Sequence, residues 1–178
     1  MNELTWTHAT TEIPEKGLPV ERAATPEELE KIRTALDILA CDSLATRYRL
    51  RAIPGNGFRL EGSFAARVTQ ACVVSLEPVQ SHVDGQLLVE FRPESVAART
   101  PSDDDTIDPF DAVETEPIVN GVLDAGRVIF EELASQLDPY PRAAGINFDW
   151  KDPLDSPDGT SNASGPFASL ASLKPKTP

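Results

Sequence analysis

The stretch that decides the fold reads RYRLRAI at 47–53, PGNG at 54–57 and FRLEGSFAARVTQAC at 58–72. On both sides of PGNG, polar and apolar residues alternate with a period of two, which is typical of a β-strand with one buried and one solvent-facing side. Proline, glycine and asparagine favour a tight hairpin turn between such strands. The sequence therefore predicts two antiparallel strands that meet at residues 54–57.

The same alternation returns further along the chain, with mostly apolar residues at odd positions from Val79 to Phe91. This parity runs unbroken through Asp84 and Gly85. We therefore expect one long strand with a bulge or kink at that pair, rather than a turn. Three successive strands of this kind predict an antiparallel β-meander.

Two further segments carry apolar residues at helical spacing. The first follows a capping box, in which Thr25 is the N-cap and Glu28 the third helical residue, and it predicts a helix over about 26–40. The second covers about 123–137 and is followed by prolines, which cannot continue a helix. The predicted fold class is α+β: an antiparallel meander of three or more strands packed on one face by two helices.

A length of 178 residues is typical of one domain with flanking segments. Composition shifts divide the chain into an N-terminal segment 1–24, a single α+β domain 25–150 with an exposed acidic loop at about 93–117, a flexible linker 151–164 and an apolar tail 165–178.

The net charge of −13 is concentrated in one part of the chain. Residues 1–102 carry −3, residues 103–158 carry −12 and residues 159–178 carry +2. The acidic block would repel bare RNA or an anionic membrane over roughly 8–10 Å. Because the remainder is nearly neutral, nucleic-acid contact is still open.

Several protein classes are excluded by composition. The longest uncharged apolar run, Ala71–Leu76, is far shorter than the roughly 20 residues that cross a bilayer. The first residues lack the basic and apolar regions of a signal peptide. Two cysteines cannot form a disulfide framework. We therefore expect a cytoplasmic protein without a membrane partner.

The chain shows no pattern that is typical of catalysis or metal binding. Cys72 and Ser75 have Cys-x-x-Cys spacing with serine in the second place, while Cys41, His8 and His82 have no ligand spacing. Nucleophile elbows, catalytic triads and phosphate loops are missing from the sequence as well. We predict no enzyme, metal, cofactor or small-molecule substrate, and a buried Cys72. A pocket with His82 beside a carboxylate would favour a hydrolase.

Five arginines form the polar arrangement with the clearest functional meaning. They lie within a segment, 45–70, whose net charge is +4 because Glu61 is its only acid. If the hairpin register aligns the two strands, these side chains share one solvent-facing surface that suits phosphate contacts. The alternative is an ordinary wet sheet face paired with the acidic loop. The candidate RNA-binding residues are Arg47, Arg49, Arg51, Arg59 and Arg67.

The tail is the second candidate site. Its large apolar residues recur every three positions, and they would cost free energy if they stayed in water. The tail either docks on its own domain or is a linear motif for a partner's groove, and we favour the partner. The candidate partner-binding residues are Pro166, Phe167, Leu170, Leu173 and Lys174.

Three stretches of the chain resemble the YceD family, the large ribosomal RNA subunit accumulation proteins of bacteria and plastids. They are CVVSLEPV at 72–79, the acidic segment that closes in LDPYP at 123–141, and PFASLASLK at 166–174. Two positions differ from many family members: Ser75 replaces a second cysteine, and Arg142 lies near the place of a histidine. A metal site proposed for cysteine-rich members is therefore not expected in this chain.

The resemblance implies a role in the accumulation of large-subunit (23S) ribosomal RNA and in assembly of that subunit, with no catalytic activity. We expect a factor in ribosome biogenesis whose arginines contact ribosomal RNA or a pre-ribosomal particle, while its tail or a helix surface holds a basic ribosomal protein. The alternative within this class is an acidic protein-binding module or chaperone for a basic partner without direct RNA contact. A regulatory module with no link to the ribosome is a third interpretation.

Overall fold

A computed structural model describes residues 3–94 and 114–146 of the chain. Within these ranges the strands and helices are β1 (Thr7–Ala9), β2 (Leu18–Ala23), α1 (Pro26–Ala35), β3 (Ala40–Ile53), β4 (Gly57–Ala71), β5 (Pro78–Pro93), β6 (Glu114–Ile118), β7 (Val122–Asp124) and α2 (Ala125–Gln136). One sheet has the order β2-β3-β4-β5-β6, antiparallel except for the β5–β6 pair, and β1 pairs with β7. Helix α1 packs against β3 and α2 against β5. The predicted α+β class, a meander packed by two helices, is confirmed.

The hairpin at 54–57 is confirmed. Ile53 pairs with Gly57, which leaves a three-residue loop in which Gly55 and Asn56 have φ values of +81° and +55°. The long strand β5 is also confirmed, but its pairing with β4 continues without a shift through Asp84 and Gly85, so the bulge predicted there is wrong. The register shift of the meander lies instead in β3, between Cys41 and Ser43.

The predicted acidic loop is wrong at its C-terminal end. Residues 114–118 form β6, which runs parallel to β5, and the chain returns through a tight turn with φ +52° at Asn120 and +73° at Gly121. An Asn-Gly pair is the strongest short signal for such a turn, and it could have located this hairpin from sequence. Residues 95–113, with the aspartates at 103–105, lie outside the described residues.

Both predicted helices exist, with shorter bounds. The capping box of α1 is confirmed: Thr25 Oγ1 accepts a hydrogen bond from the Glu28 backbone N–H, and Glu28 Oε2 accepts one from the Thr25 N–H. The helix ends at Ala35 rather than about 40 because Asp37 takes φ +51°. Immediately afterwards, the Leu39 N–H donates to the Thr69 carbonyl at 2.9 Å, so the chain has already joined the sheet.

Helix α2 begins at Ala125 instead of Leu123. Asp124 is its N-cap and accepts a hydrogen bond from the Arg127 N–H, while Leu123 belongs to β7 and is fully buried. An apolar residue just before the cap therefore packs in the core without being helical.

Residues 3–24 contribute to the same core as the meander. Leu4 and Trp6 are buried, the indole N–H of Trp6 donates to Glu28 Oε1 at 2.9 Å, and the Gly126 N–H donates to the Trp6 carbonyl. The sheet and the two helices supply the large buried side chains Ile32, Leu44, Tyr48, Leu50, Leu60, Phe64, Val68, Val83, Leu87, Val89, Phe91, Val128, Ile129 and Leu133.

Two glycines on the inner face of the sheet lie so close to the neighbouring strand that neither has room for a Cβ. Gly85 lies opposite Phe64, and a Cβ at Gly85 would come within 2.4 Å of the Phe64 ring. Gly62 lies opposite Tyr48, where a Cβ would come within 2.3 Å of the Arg47 carbonyl oxygen. The first contact involves the end of a side chain, and the second involves backbone.

We predict that Gly85→Ala lowers the free energy of unfolding by about 1–3 kcal/mol through overpacking. Adding Phe64→Leu should recover part of that loss because it removes the ring atoms that clash. Gly62→Ala should cost more, and it should not be recovered by Phe64→Leu, since its clash is with backbone. Urea unfolding of the four variants measures this, and equal costs for the two glycine variants would contradict it.

A buried polar pair connects β1 to β3. His8 Nε2 and the Tyr48 hydroxyl are joined by a 2.7 Å hydrogen bond, with the rings edge to face. Burial, and then the positive charge of Arg22, lower the pKa of His8 below its usual 6.5. Burial raises the pKa of Tyr48 to about 12. The pair is therefore neutral in the folded protein at neutral pH.

This pair predicts a loss of stability in mild acid. Below about pH 6.5 the unfolded chain protonates His8 while the folded protein resists protonation, so the free energy of unfolding decreases as pH falls. His8→Gln, which keeps a hydrogen-bonding side chain, should decrease less between pH 7.5 and pH 5. Urea midpoints at both pH values test this, and an identical decrease in both proteins would contradict it.

Candidate nucleic-acid interface

The strand register places the five candidate arginines on the same side of the sheet. Odd-numbered residues of β3 face odd-numbered residues of β4: Arg51 lies opposite Arg59, and Arg67 lies opposite Ser43. The even-numbered residues from Leu44 to Leu50 in β3 and from Leu60 to Val68 in β4 point into the core. This solvent-facing surface, with Arg47, Arg49, Arg51, Arg59 and Arg67, is called the arginine face below.

Three of these arginines form ion pairs with carboxylates from neighbouring positions of the sheet. Arg47 lies 3.0 Å from Glu21 of β2, and Arg51 lies 3.5 Å from Glu61 of β4. Arg59 lies 2.6 Å from Glu90 of β5. The carboxylates therefore come from the sheet itself. Exposed pairs such as Arg47–Glu21 contribute about 0–1 kcal/mol, so phosphate oxygens can replace the carboxylate at little cost.

The Glu90 carboxylate is held more firmly than the other two. It accepts hydrogen bonds from both Arg59 and Arg92, and its side chain is only 13% exposed. Arg59 and then Arg92 hold the pKa of Glu90 below its usual range. Arg92 also donates to the Pro54 carbonyl at 2.6 Å, which joins this cluster to the hairpin loop. Arg59 is consequently a poor donor to an external phosphate.

Arg49 and Arg67 differ from the other three. Among the described residues, neither has a carboxylate within 4 Å of its guanidinium. Both are exposed, and Arg67 has Ser43 and His82 as its cross-strand neighbours. Within residues 3–94 and 114–146, no ion pair has to break for their hydrogen-bond donors to reach an anion.

A low strip of alanines crosses the sheet between Arg47 and Arg67. Ala23, Ala45 and Ala65 are direct cross-strand partners on this face, and they line a groove of about 390 Å³. Arg67 lies opposite Ser43, four residues from Arg47 along the strand direction, which corresponds to roughly 13 Å. An extended polymer can approach the sheet backbone here with a guanidinium on each side.

A second hollow, of about 410 Å³, is lined by Arg67, His82 and Asp42. A histidine and a carboxylate in one hollow is the arrangement that would favour a hydrolase. Ser81 also lines it, but consecutive strand residues point to opposite faces, so the Ser81 hydroxyl is on the other side of the sheet from the His82 ring. Ser81, His82 and Asp42 therefore do not form a nucleophile–base–acid relay.

The prediction that Cys72 is buried is confirmed. Its Sγ accepts hydrogen bonds from the backbone N–H groups of Ser75 and Ala143, both at 3.4 Å. Hydrogen bonds from the Ser75 side chain, and then from backbone N–H groups, lower the pKa of this thiol to about 6, while burial acts in the opposite direction. Cys41, by contrast, has its pKa raised to about 11 by burial. Over residues 3–94 and 114–146, His, Cys, Asp and Glu form no group of three or more that could hold a metal ion.

Cys72 joins two loops at one end of the sheet. Beside its bond to Ala143, the Val73 N–H donates to the Pro141 carbonyl at 2.9 Å, and Gln70 Nε2 donates to the Asp138 carbonyl at 2.9 Å. The segment after α2 is thereby attached to the β4–β5 loop.

The sequence predicts the arginine face but not the carboxylates that form ion pairs with it. Alternation also places Glu90 on the polar side of its strand, but Glu21 lies in β2, where no strand is predicted, and both pairings depend on registers that the sequence does not specify. Arg92 was missed because it follows the last residue of the third alternating run. The acidic loop residues and the tail candidates Pro166, Phe167, Leu170, Leu173 and Lys174 lie outside the described residues.

We predict that Cys72→Ala lowers the free energy of unfolding by about 1–3 kcal/mol, because the N–H groups of Ser75 and Ala143 lose their acceptor. Cys41→Ala is the matched control: Cys41 is also buried, at 8% exposure against 0% for Cys72, but its Sγ makes only a 4.0 Å contact with the Ser43 carbonyl. Thermal unfolding compares the variants. A larger loss for Cys41→Ala would show that lost packing, rather than the unpaired N–H groups, determines the cost.

No helix among the described residues is long and apolar enough to cross a membrane. Comparison of the chain with protein-family models, curated proteins and solved structures found no match.

Proposed function

We propose that this protein is a non-enzymatic cytoplasmic factor for the accumulation of large-subunit ribosomal RNA and for assembly of that subunit. The resemblance of residues 72–79, 123–141 and 166–174 to the YceD family supports the biological role. The observation that carries the RNA contact is the pair Arg49 and Arg67, exposed arginines with no ion-pair partner among the described residues. They lie on a sheet face that neither α1 nor α2 covers.

The contact is made through RNA phosphates. Arg49 and Arg67 bind phosphate oxygens directly, and Arg47 exchanges its exposed pair with Glu21 for a third phosphate. Arg51 and Arg59 stay with Glu61 and Glu90. The alanine strip lets the RNA backbone lie close to the sheet. Because phosphates carry no base information, this surface reads the shape of the RNA and not its sequence.

A second candidate function is the binding of a basic protein without RNA. The ion pairs favour it: the six arginines and four carboxylates on this side of β2 to β5 leave a net charge of only +2, while the whole chain carries −13. In that case the acidic block and the tail residues 165–178 hold a basic ribosomal protein, and the arginine face makes no contact with RNA.

Salt dependence of binding to a large-subunit ribosomal RNA fragment separates these two functions. With three phosphate contacts, we expect a log–log slope of about −2 to −3. Arg49→Ala/Arg67→Ala should reduce its magnitude by about 2, and Arg59→Ala, the matched control on the same face, should change it little. A slope near zero, or one that the double variant leaves unchanged, would contradict RNA contact.

Depletion of the protein from cells tests the biological role. We expect the ratio of large- to small-subunit ribosomal RNA to fall, with fewer complete large subunits in a sucrose gradient, and the wild-type chain should restore both. An unchanged ratio and gradient would refute the role in ribosome assembly whatever the protein binds in vitro.

A further inference from the structure

One end of the molecule exposes large apolar side chains. Leu39 is 49% exposed, Val73 47%, Leu76 75% and Tyr140 70%. Among the described residues only Leu88 and Val119 are further large hydrophobic residues with comparable exposure. The four residues Leu39, Val73, Leu76 and Tyr140 are called the apolar end below.

Hydrogen bonds join the three segments that carry these side chains. The Leu39 N–H donates to the Thr69 carbonyl of β4. The Val73 N–H donates to the carbonyl of Pro141, the residue after Tyr140. Between them, the side chain of Gln70 donates to the Asp138 carbonyl. The three segments therefore meet at one end of the sheet. Exposed apolar surface that is gathered in one place and rimmed by polar groups is typical of a protein interface.

The most exposed of the four, Leu76, is also strained. Its φ is +62°, in the left-handed region that leucine rarely adopts. The Leu76 N–H donates to the Cys72 carbonyl at 2.9 Å, and the Cys72 N–H donates to the Glu77 carbonyl at 2.8 Å, which closes the loop around it. Glycine or asparagine would fit this backbone better and would expose less apolar surface. Leu76 is unfavourable both in its backbone conformation and in its exposed apolar side chain, which indicates a role in binding another molecule.

The charges around the apolar end identify the partner's chemistry. Asp37, Glu77 and Asp138 are exposed on the three segments, and Arg142 is the basic residue among them, so the rim carries a net charge of −2. A partner that fits must bring apolar side chains to Leu76 and Tyr140 and positive charges to the rim.

We propose that the apolar end binds a basic segment of a partner protein, with large apolar side chains among its lysines and arginines. Leu76 is the central contact and the acidic rim supplies the charge complementarity. Nothing in this interaction requires RNA on the arginine face, so it and the proposed function can fail separately.

The test uses the purified full-length chain and two synthetic amphipathic peptides, one of leucine and lysine and one with glutamate at each lysine position. We expect the lysine peptide to bind and the glutamate peptide not to bind. Leu76→Asn should weaken binding at least tenfold while the melting temperature stays the same or rises, because asparagine relieves the backbone strain. Glu77→Lys should also weaken it, and Leu88→Asn, an exposed leucine on the sheet face, should not.

Equal affinity of wild type and Leu76→Asn would overturn the proposal, as would equal binding of both peptides. A lower melting temperature for Leu76→Asn would assign Leu76 a structural role instead. Light scattering of the free chain provides the remaining outcome: a dimer that Leu76→Asn dissociates would assign the apolar end to a second copy of this protein and overturn the assignment to a basic partner.

Discussion

The structure depends on the register of β3, β4 and β5, antiparallel strands of 14 to 16 residues whose pairing shifts only between Cys41 and Ser43. A shift by one residue would exchange the two faces, so that arginines would enter the core and Tyr48 and Phe64 would enter water. Gly62 and Gly85 help to hold this register, because a Cβ at Gly85 would clash with the Phe64 ring and a Cβ at Gly62 would clash with the β3 backbone at Arg47 and Tyr48. The arginine face is therefore a consequence of the same pairing that builds the core.

The same register limits what the arginine face can bind. Cross-strand glutamates neutralise Arg51 and Arg59, and Glu90 is held by two arginines at once. Arg49 and Arg67 combine exposure with no ion pair in the described residues. Arg47, beside the alanine strip, has an exposed ion pair with Glu21, and Arg51 has one with Glu61. The surface thus favours a few phosphate contacts over a strongly basic patch, which is consistent with the proposed contact to RNA.

Local patterns predicted the features that depend on neighbours in sequence: the period-two strands, the turn at 54–57 and the capping box at Thr25. Features that depend on distant pairing were wrong or missed. The parallel strand at 114–118 has no alternation of its own, and it exists because β5 offers an edge. Helix α1 ends early because Asp37 turns the chain so that the Leu39 N–H reaches the Thr69 carbonyl. These two residues are thirty positions apart in the sequence. The partners of the arginines depend on registers with β2 and β5, and the apolar end forms where three separated loops meet.

The most direct test of the account is the ratio of large- to small-subunit ribosomal RNA in cells whose only copy of the protein is Arg49→Glu/Arg67→Glu. Both residues are exposed on the sheet face, so the charge reversal leaves the fold intact, and circular dichroism checks this. We expect that the double variant fails to restore the ratio, whereas Arg59→Ala restores it. Full restoration by the double variant would contradict RNA contact through the arginine face as the basis of the function.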